Sequence, residues 1–255
     1  MSNDVKQDAG EQAVFQSDFK VLKESHICEA LHFFSQSLEW KKYFKRFLYP
    51  YLGDEVLEVG AGLGSTTHVL CSGKEKRWVC LEPDIAFVKL LEEKIGQGYI
   101  PRSCEVVHGH LPLEKPIGQF DSALYIDVLE HIYEDEKEIE RAAEMLRPGG
   151  KLIILVPAYS WLYTPFDHSV GHYRRYRRRT LRRLVETRFR KIFCHYLDFL
   201  GMMASAANKY LLRKKLPTQK DVLFWDRFMI PISRCIDPLL LYSTGRSIVG
   251  VWEKR

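Results

Sequence analysis

The stretch from Glu55 to Val69, EVLEVGAGLGSTTHV, constrains this chain more than any other. Val56, Leu57 and Val59 make a short apolar run, as expected of a strand buried on both faces of a parallel sheet. Gly60, Gly62 and Gly64 follow at alternate positions. Ser65, Thr66 and Thr67 then offer capping hydroxyls before Val69 and Leu70 resume an apolar face. The pattern is strand, glycine turn, helix. Glycine allows positive φ and close approach of a ligand to the backbone, and the helix N-terminus beyond presents unpaired N–H groups and partial positive charge. In open α/β sheets such a turn, at the carboxyl end of a first strand, holds a nucleotide or nucleoside.

The spacing narrows the ligand. Ser65 stands where a dinucleotide fingerprint has its third glycine, and no Gly-Lys-Ser/Thr follows, which excludes a P-loop. Glu58, two residues before Gly60, repels a pyrophosphate and suits an ammonium. This E-x-G-x-G-x-G pattern resembles the first motif of class I S-adenosylmethionine (SAM) methyltransferases. The resemblance implies a doubly wound α/β fold with a seven-stranded, Rossmann-like sheet and an N-terminal helical cap. It also implies SAM as cofactor, S-adenosylhomocysteine (SAH) as product, and cofactor contacts from Glu58, Gly60, Ala61, Gly62 and Gly64.

The following text fits that frame. Arg77 to Leu81 reads as a second strand ending in Glu82, Pro83 and Asp84. An acid at this point can accept both ribose hydroxyls, while Pro83 and Asp84 open a helix over Ile85 to Ile95. Glu105 to His108 is a third strand, followed by Gly109, His110 and Leu111; the resemblance implies that this turn covers the adenine, with His110 replacing the family's frequent Asp. Phe120 to Ile126 is the fourth. The text YIDVLEH there resembles the fourth motif of small-molecule members, which implies main chain at Ile126 receiving the methionine amine, Asp127 beside the sulfonium and His131 buttressing the loop. Lys151 to Val156, Arg190 to Leu197 and Ser247 to Trp252 complete the strands.

With 255 residues, 46% of them hydrophobic and 28% charged, the chain has the makings of one soluble α/β domain. Residues 1–18 read as a disordered tail and 19–255 as a single domain, with a helical cap at 19–52, a lid or substrate loop at 157–183 and an insertion at 201–242. Six scattered cysteines without a C-x-x-C, and no signal-peptide core, predict a reduced, cytoplasmic protein without a metal cluster. No apolar run is long enough to span a bilayer. The apolar insertion leaves a homodimer face or contact with a membrane-borne substrate open.

Pro157 to Arg183, PAYSWLYTPFDHSVGHYRRYRRRTLRR, follows the fifth strand at the ligand-binding edge. It resembles a segment found in a broad bacterial methyltransferase group. Its mixture of aromatic and ionisable groups suits a pocket wall, with Trp161, Tyr163, Asp167, Tyr173, Arg174 and Arg175 as acceptor contacts. His172 is the general-base candidate because an imidazole titrates near neutrality; it suits a hydrogen-bonded pin of the lid equally well. Asp127 and Tyr163 are the other catalytic candidates. Seven arginines lie between Arg174 and Arg183, either as a solvated charge run or as an anion site. The expected activity is metal-independent methyl transfer to an O, N or C nucleophile of a small acceptor, acidic or of natural-product type, as in small-molecule biosynthesis. An RNA methyltransferase using the arginine run is one alternative; the turn IDVLEH and the lack of a separate nucleic-acid module argue against it. A SAM enzyme of another reaction type, or a non-catalytic partner subunit, are the others.

Overall fold

Strands rich in Val, Leu and Ile alternate with amphipathic segments, and each strand must therefore be covered on both sides. The computed structural model describes residues 32–113, 115, 117–212 and 216–255. The strands are β1 (Glu55–Val59), β2 (Arg77–Glu82), β3 (Cys104–His108), β4 (Phe120–Ile126), β5 (Leu146–Pro157), β6 (Phe189–Leu197) and β7 (Ser247–Lys254). They form one seven-stranded sheet in the order 3-2-1-4-5-7-6. The first five run parallel, whereas β7 is antiparallel to both β5 and β6. The order reverses between β1 and β4, and this switch point lies directly beyond the glycine turn. The sheet has the expected class I methyltransferase architecture.

The helices are α1 (Leu38–Leu48), α2 (Ser65–Leu70), α3 (Ile85–Gly96), α4 (Asp135–Met145), α5 (Pro165–Ser169), α6 (Arg178–Val185), α7 (Phe199–Ala207), α8 (Gln219–Phe224) and α9 (Ile230–Leu239). Side chains of a strand alternate between faces. Val56 joins one core cluster with Trp40, Phe44, Leu70, Leu91 and Trp225, from α1, α2, α3 and the insertion. Leu57 and Val59 join the other, with Ile139 and Ala142 of α4 and Leu181 and Val185 of α6. Burial of each large apolar side chain stabilises the fold by about 1.5–3 kcal/mol.

Three buried aspartates fasten the insertion to the body. Asp226 accepts from the main-chain N–H groups of Glu39 (3.2 Å) and Trp40 (2.8 Å), placing its charge at the N-terminus of α1. Asp237 accepts from Tyr43 Oη (2.9 Å) and from the N–H groups of Asp198 (2.7 Å) and Phe199 (3.0 Å). Asp198 accepts from Gly201 N, Ser233 Oγ and Trp225 Nε1.

Some boundaries differ from the sequence reading. β5 begins at Leu146, because Leu146 pairs with Phe120 before the register shifts. In α6, Thr180 Oγ1 accepts from Arg177 N–H inside the first turn. The tail at 1–18 and the start of the cap, 19–31, lie outside the described residues. No helix among the described residues is long and apolar enough to cross a membrane.

Candidate functional site

The glycine turn takes the left-handed conformation at all three glycines, with φ of 67°, 55° and 71° at Gly60, Gly62 and Gly64. Only one of them faces free space. A Cβ on Gly62 would meet nothing nearer than Gly60 O at 4.0 Å, so the turn is open there as an adenosyl ligand requires. Glu82 lies beside it: its Oε2 accepts from Gly62 N–H (2.7 Å) and its Oε1 from Asp84 N–H (3.0 Å). Each carboxylate oxygen keeps a further lone pair for a ribose hydroxyl. Burial raises the Glu82 pKa, opposed by these two hydrogen bonds. Gly109 donates its N–H to Glu82 O (3.0 Å), which ties the third turn to the same acid. Pro83 is exposed, and its carbonyl accepts from His108 Nε2 (3.1 Å).

Four of the expected cofactor contacts, Glu58, Ala61, Gly64 and Leu111, are packed within the chain. A Cβ on Gly64 would collide with Ile100 (2.5 Å) and Leu91 (2.7 Å), so its glycine serves helix packing. Ala61 and Leu111 are core residues, 6% and 1% exposed, where adenine contact was expected of Leu111. Glu58 is 2% exposed and its Oε2 accepts from Thr67 Oγ1 (2.7 Å) and Trp78 Nε1 (2.8 Å). It is a strut joining α2 to β2, not a partner for an ammonium. His110 is exposed, its Nδ1 against Leu111 O at 3.1 Å.

Burial pushes Glu58 up to about 7, against its bonds to Thr67 and Trp78. A carboxyl whose folded pKa is raised binds its proton more tightly when folded. Its stabilising contribution is full below the unfolded value of 4.5 and is lost as pH rises through about 7. The gap between those values corresponds to ~3 kcal/mol. Glu58→Gln is therefore expected to flatten the fall in stability between pH 4.5 and 7. Parallel urea-denaturation profiles of wild type and variant would contradict this.

Asp127, directly after β4, has φ of 54°, uncommon for a non-glycine residue and stabilised here by its N–H donating to Leu155 O (2.9 Å). Solvent reaches Asp127, yet surrounding protein raises its pKa by desolvation, as in the wall of a cleft. The charges of His172, Arg246, Lys41 and Arg175 pull the other way. Lys41 was not foreseen. Its Nζ donates to Phe34 O (2.7 Å) and Ser35 O (3.3 Å), and burial lowers its pKa to about 8 against the pull of Asp226 and Asp127. Ile126 is half-buried at the end of β4.

His172 is gripped from two sides. Its Nδ1 lies 3.0 Å from Asp167 Oδ1, and its Nε2 lies 3.9 Å from Glu130 Oε1. Its ring stands edge-on to His131 at 4.6 Å. Glu130 is 1% exposed, and among the described residues neither carboxyl oxygen has a hydrogen-bond partner. Burial, then the neighbouring charge of Asp127, holds its pKa well above the carboxylate range. No metal cluster was expected from the sequence; among the described residues, Glu130, His131 and His172 bring potential ligand atoms within 4.8 Å of one another.

The segment after β5 is bolted to this turn. Tyr173 N–H donates to Glu130 O (2.8 Å), and Tyr176 Oη donates to Asp135 Oδ2 (2.8 Å). Tyr163 Oη donates to the His172 carbonyl (2.6 Å), which makes it a pin instead of a catalytic hydroxyl. Tyr173 is 58% exposed against Tyr133, and Trp161 packs on Tyr159, so neither lines the cavity described below. Arg174 pairs with Asp135 (2.8 Å), and Arg175 makes two bonds to fully buried Asp167 (2.7 and 3.1 Å). Arg178 lies over the Tyr196 ring and Arg182 pairs with Glu186. Much of the arginine run is thus committed within the chain.

A cavity of about 360 Å³ opens between this segment and the insertion. Phe34, Leu162, Phe166, Val222 and Trp225 give it an apolar wall, and Arg175 and Arg246 bring it the positive charges that also act on Asp127. The insertion supplies much of this wall, and Arg246, which the sequence did not single out, stands on it.

An open glycine turn with an acid beside it, and a cavity open at its far rim, on a seven-stranded sheet with an antiparallel β7, make up a SAM-dependent methyltransferase scaffold. A family model described as a methyltransferase domain matches residues 24–188, and the chain belongs to that family of enzymes. A demethylmenaquinone methyltransferase of Tropheryma whipplei (strain Twist) is 28% identical over 154 residues, 60% of this chain and 60% of that protein. A ubiquinone biosynthesis O-methyltransferase of Xanthomonas euvesicatoria pv. vesicatoria is 31% identical over 106 residues, 40% of this chain and 42% of that one. The chain therefore spans less than two thirds of either relative. Coclaurine N-methyltransferase, solved with N-methylheliamine and SAH, shares the fold with a TM-score of 0.59 at 13% identity, over 100% of this chain and 88% of its own.

Proposed function

We propose that this chain transfers a methyl group from SAM to an oxygen, nitrogen or carbon nucleophile of a small acceptor held in the cavity between residues 162–175 and the insertion. One observation carries the reading: the open turn at Gly62, with Glu82 and Asp127, adjoins a cavity whose arginines act electrostatically on Asp127. SAM when bound supplies an electrophilic methyl group. Gly62 gives backbone room for it, Glu82 takes the ribose, and the Asp127 carboxylate lies in the field of positive charge. The apolar wall excludes water and orients the acceptor. His172, behind the cavity wall with Nδ1 held by Asp167 and Nε2 3.9 Å from Glu130 Oε1, is the group assigned to take a proton from a hydroxyl or ammonium that reaches toward Asp127. The relatives named for quinone methylation support a small-molecule acceptor. No metal is invoked, four of the seven arginines, Arg174, Arg175, Arg178 and Arg182, are assigned to intramolecular roles over RNA, and 19–255 is read as one catalytic domain.

SAM and SAH are expected to raise thermal stability, by roughly 2.7 kcal/mol at 100 times Kd. Glu82→Ala is expected to weaken SAH binding by roughly 1.5–3 kcal/mol, the worth of its charge-assisted bonds. Calorimetry giving unchanged SAH affinity in the folded variant would remove Glu82 from the site. A shift with NAD and none with SAM would overturn the cofactor.

A further inference from the structure

Arg246 precedes β7, whose Ser247 pairs with Pro157 at the end of β5, so it stands at the carboxyl edge of the sheet. Its guanidinium lies 4.7 Å from the Trp225 ring centre and 5.8 Å from that of Phe34. Among the described residues its side chain makes no hydrogen bond and no ion pair. Asp127 acts on it through charge alone, without an ion pair, and the other nearby acids are already engaged. Asp167 is taken by Arg175, His172 and Thr164, and Asp198 by Gly201, Ser233 and Trp225. The other acidic side chain on the cavity wall, Asp221, turns back to accept from Thr218 N–H (3.0 Å) and Oγ1 (2.8 Å). Arg175 is likewise spent on Asp167. The cavity thus holds one guanidinium stacked on aromatic faces, with its planar fork of N–H donors unused.

We infer that Arg246 is the anchor for an anionic group, a carboxylate or an acid of similar size, on an otherwise apolar ligand of this cavity. A guanidinium stacked on indole is fixed in orientation, and its edge matches a carboxylate in bidentate geometry. The remaining wall is mainly apolar, with Phe34, Leu162, Phe166, Val222 and Trp225 its largest side chains, beside Thr164, Ser205 and Asn208. Among the described residues the far rim is open: Leu216 is 41% and Phe224 58% exposed. A ligand with its acid at Arg246 and an apolar body running toward Phe224 satisfies both ends. This deepens the methyl-transfer reading and rests on it for naming that ligand the acceptor.

The probes are decanoate and decanol, which differ in the charged group, titrated by calorimetry into the full chain with and without SAH. Wild type is expected to bind decanoate at least tenfold tighter than decanol. Arg246→Met, which keeps a flexible stem against Trp225, is expected to bring decanoate to the level of decanol; Arg246→Lys is expected to retain a preference. Equal binding of the two probes by wild type, binding of neither, or an undiminished preference in a folded Arg246→Met overturns the anchor. SAH binding in the same samples separates the two readings. Intact SAH binding without discrimination between the probes removes the anchor alone. Discrimination by a chain that binds no SAH leaves the anchor standing and removes methyl transfer.

Discussion

Asp167→Ala is expected to cost the protein about 3–5 kcal/mol of stability, because it leaves a buried guanidinium without its counter-charge. Asp167 is fully buried, and Arg175 is only 8% exposed. The carboxylate also accepts from Thr164 N–H (2.8 Å) and Thr164 Oγ1 (2.9 Å), so the substitution uncaps α5 as well. Asp167→Asn keeps the shape and loses the charge, and a smaller loss is expected. Burial would raise the Asp167 pKa, but His172 and Arg175 outweigh it and hold the group well below the usual carboxylate range. A depressed pKa stabilises above the unfolded value of 3.8, and the contribution is lost as pH falls from there toward the folded value. The wild type should therefore lose stability on acidification more steeply than Asp167→Asn. Urea midpoints placing Asp167→Ala within about 1 kcal/mol of wild type would show that the segment tolerates an unpaired Arg175.

His172→Ala is expected to lower kcat by roughly 10²–10⁴-fold while SAH affinity stays unchanged, the pattern for loss of a general base. The same side chain bridges Asp167 and approaches Glu130, so a merely structural role makes a different forecast. In that case melting temperature and activity fall together, and stabilising conditions restore turnover. The assay must run below the pKa of the acceptor's nucleophile, where a proton has to leave. Turnover there within tenfold of wild type removes His172 from the chemistry.

The order of elements could be read from the chain because apolar runs and glycine turns are local signals. The turn at Gly60 to Gly64, the acid at Glu82 and the Asp127 corner stand where their spacing put them. What each side chain faces was harder. Glu58 shares strand parity with Val56, and that face packs on Trp78 and α1; counting by twos would have placed it in the core. Gly64 looks like its neighbours in sequence, yet only contact with Leu91 and Ile100 explains it. The aromatic and basic richness of Pro157 to Arg183 marked an important segment, but its residues point both ways. Tyr163 holds main chain, Tyr173 lies outside against Tyr133, and Leu162 and Phe166 face the cavity. Arg246 carried one positional hint, its place just before a strand antiparallel to β5. Nothing local distinguishes it from the chain's other arginines, since its unspent donors follow from the engagement of Asp167 and Asp198 elsewhere.

The three aspartates that fasten the insertion have a consequence for how acceptor preference can be re-engineered. Most of the cavity wall belongs to one contiguous stretch, from α7 through α9, appended after the last parallel-facing layer is complete. A transplant of that stretch alone changes what the pocket admits without touching Gly62 or Glu82. Its seams, however, are set by Asp198, Asp226 and Asp237, whose partners include Tyr43 and the main chain at Glu39 and Trp40. A chimera cut between Asp198 and Leu239 must carry α1 with it, or supply a tyrosine and a free helix start at the same places. Grafts that ignore this should fail as proteins before they fail as enzymes.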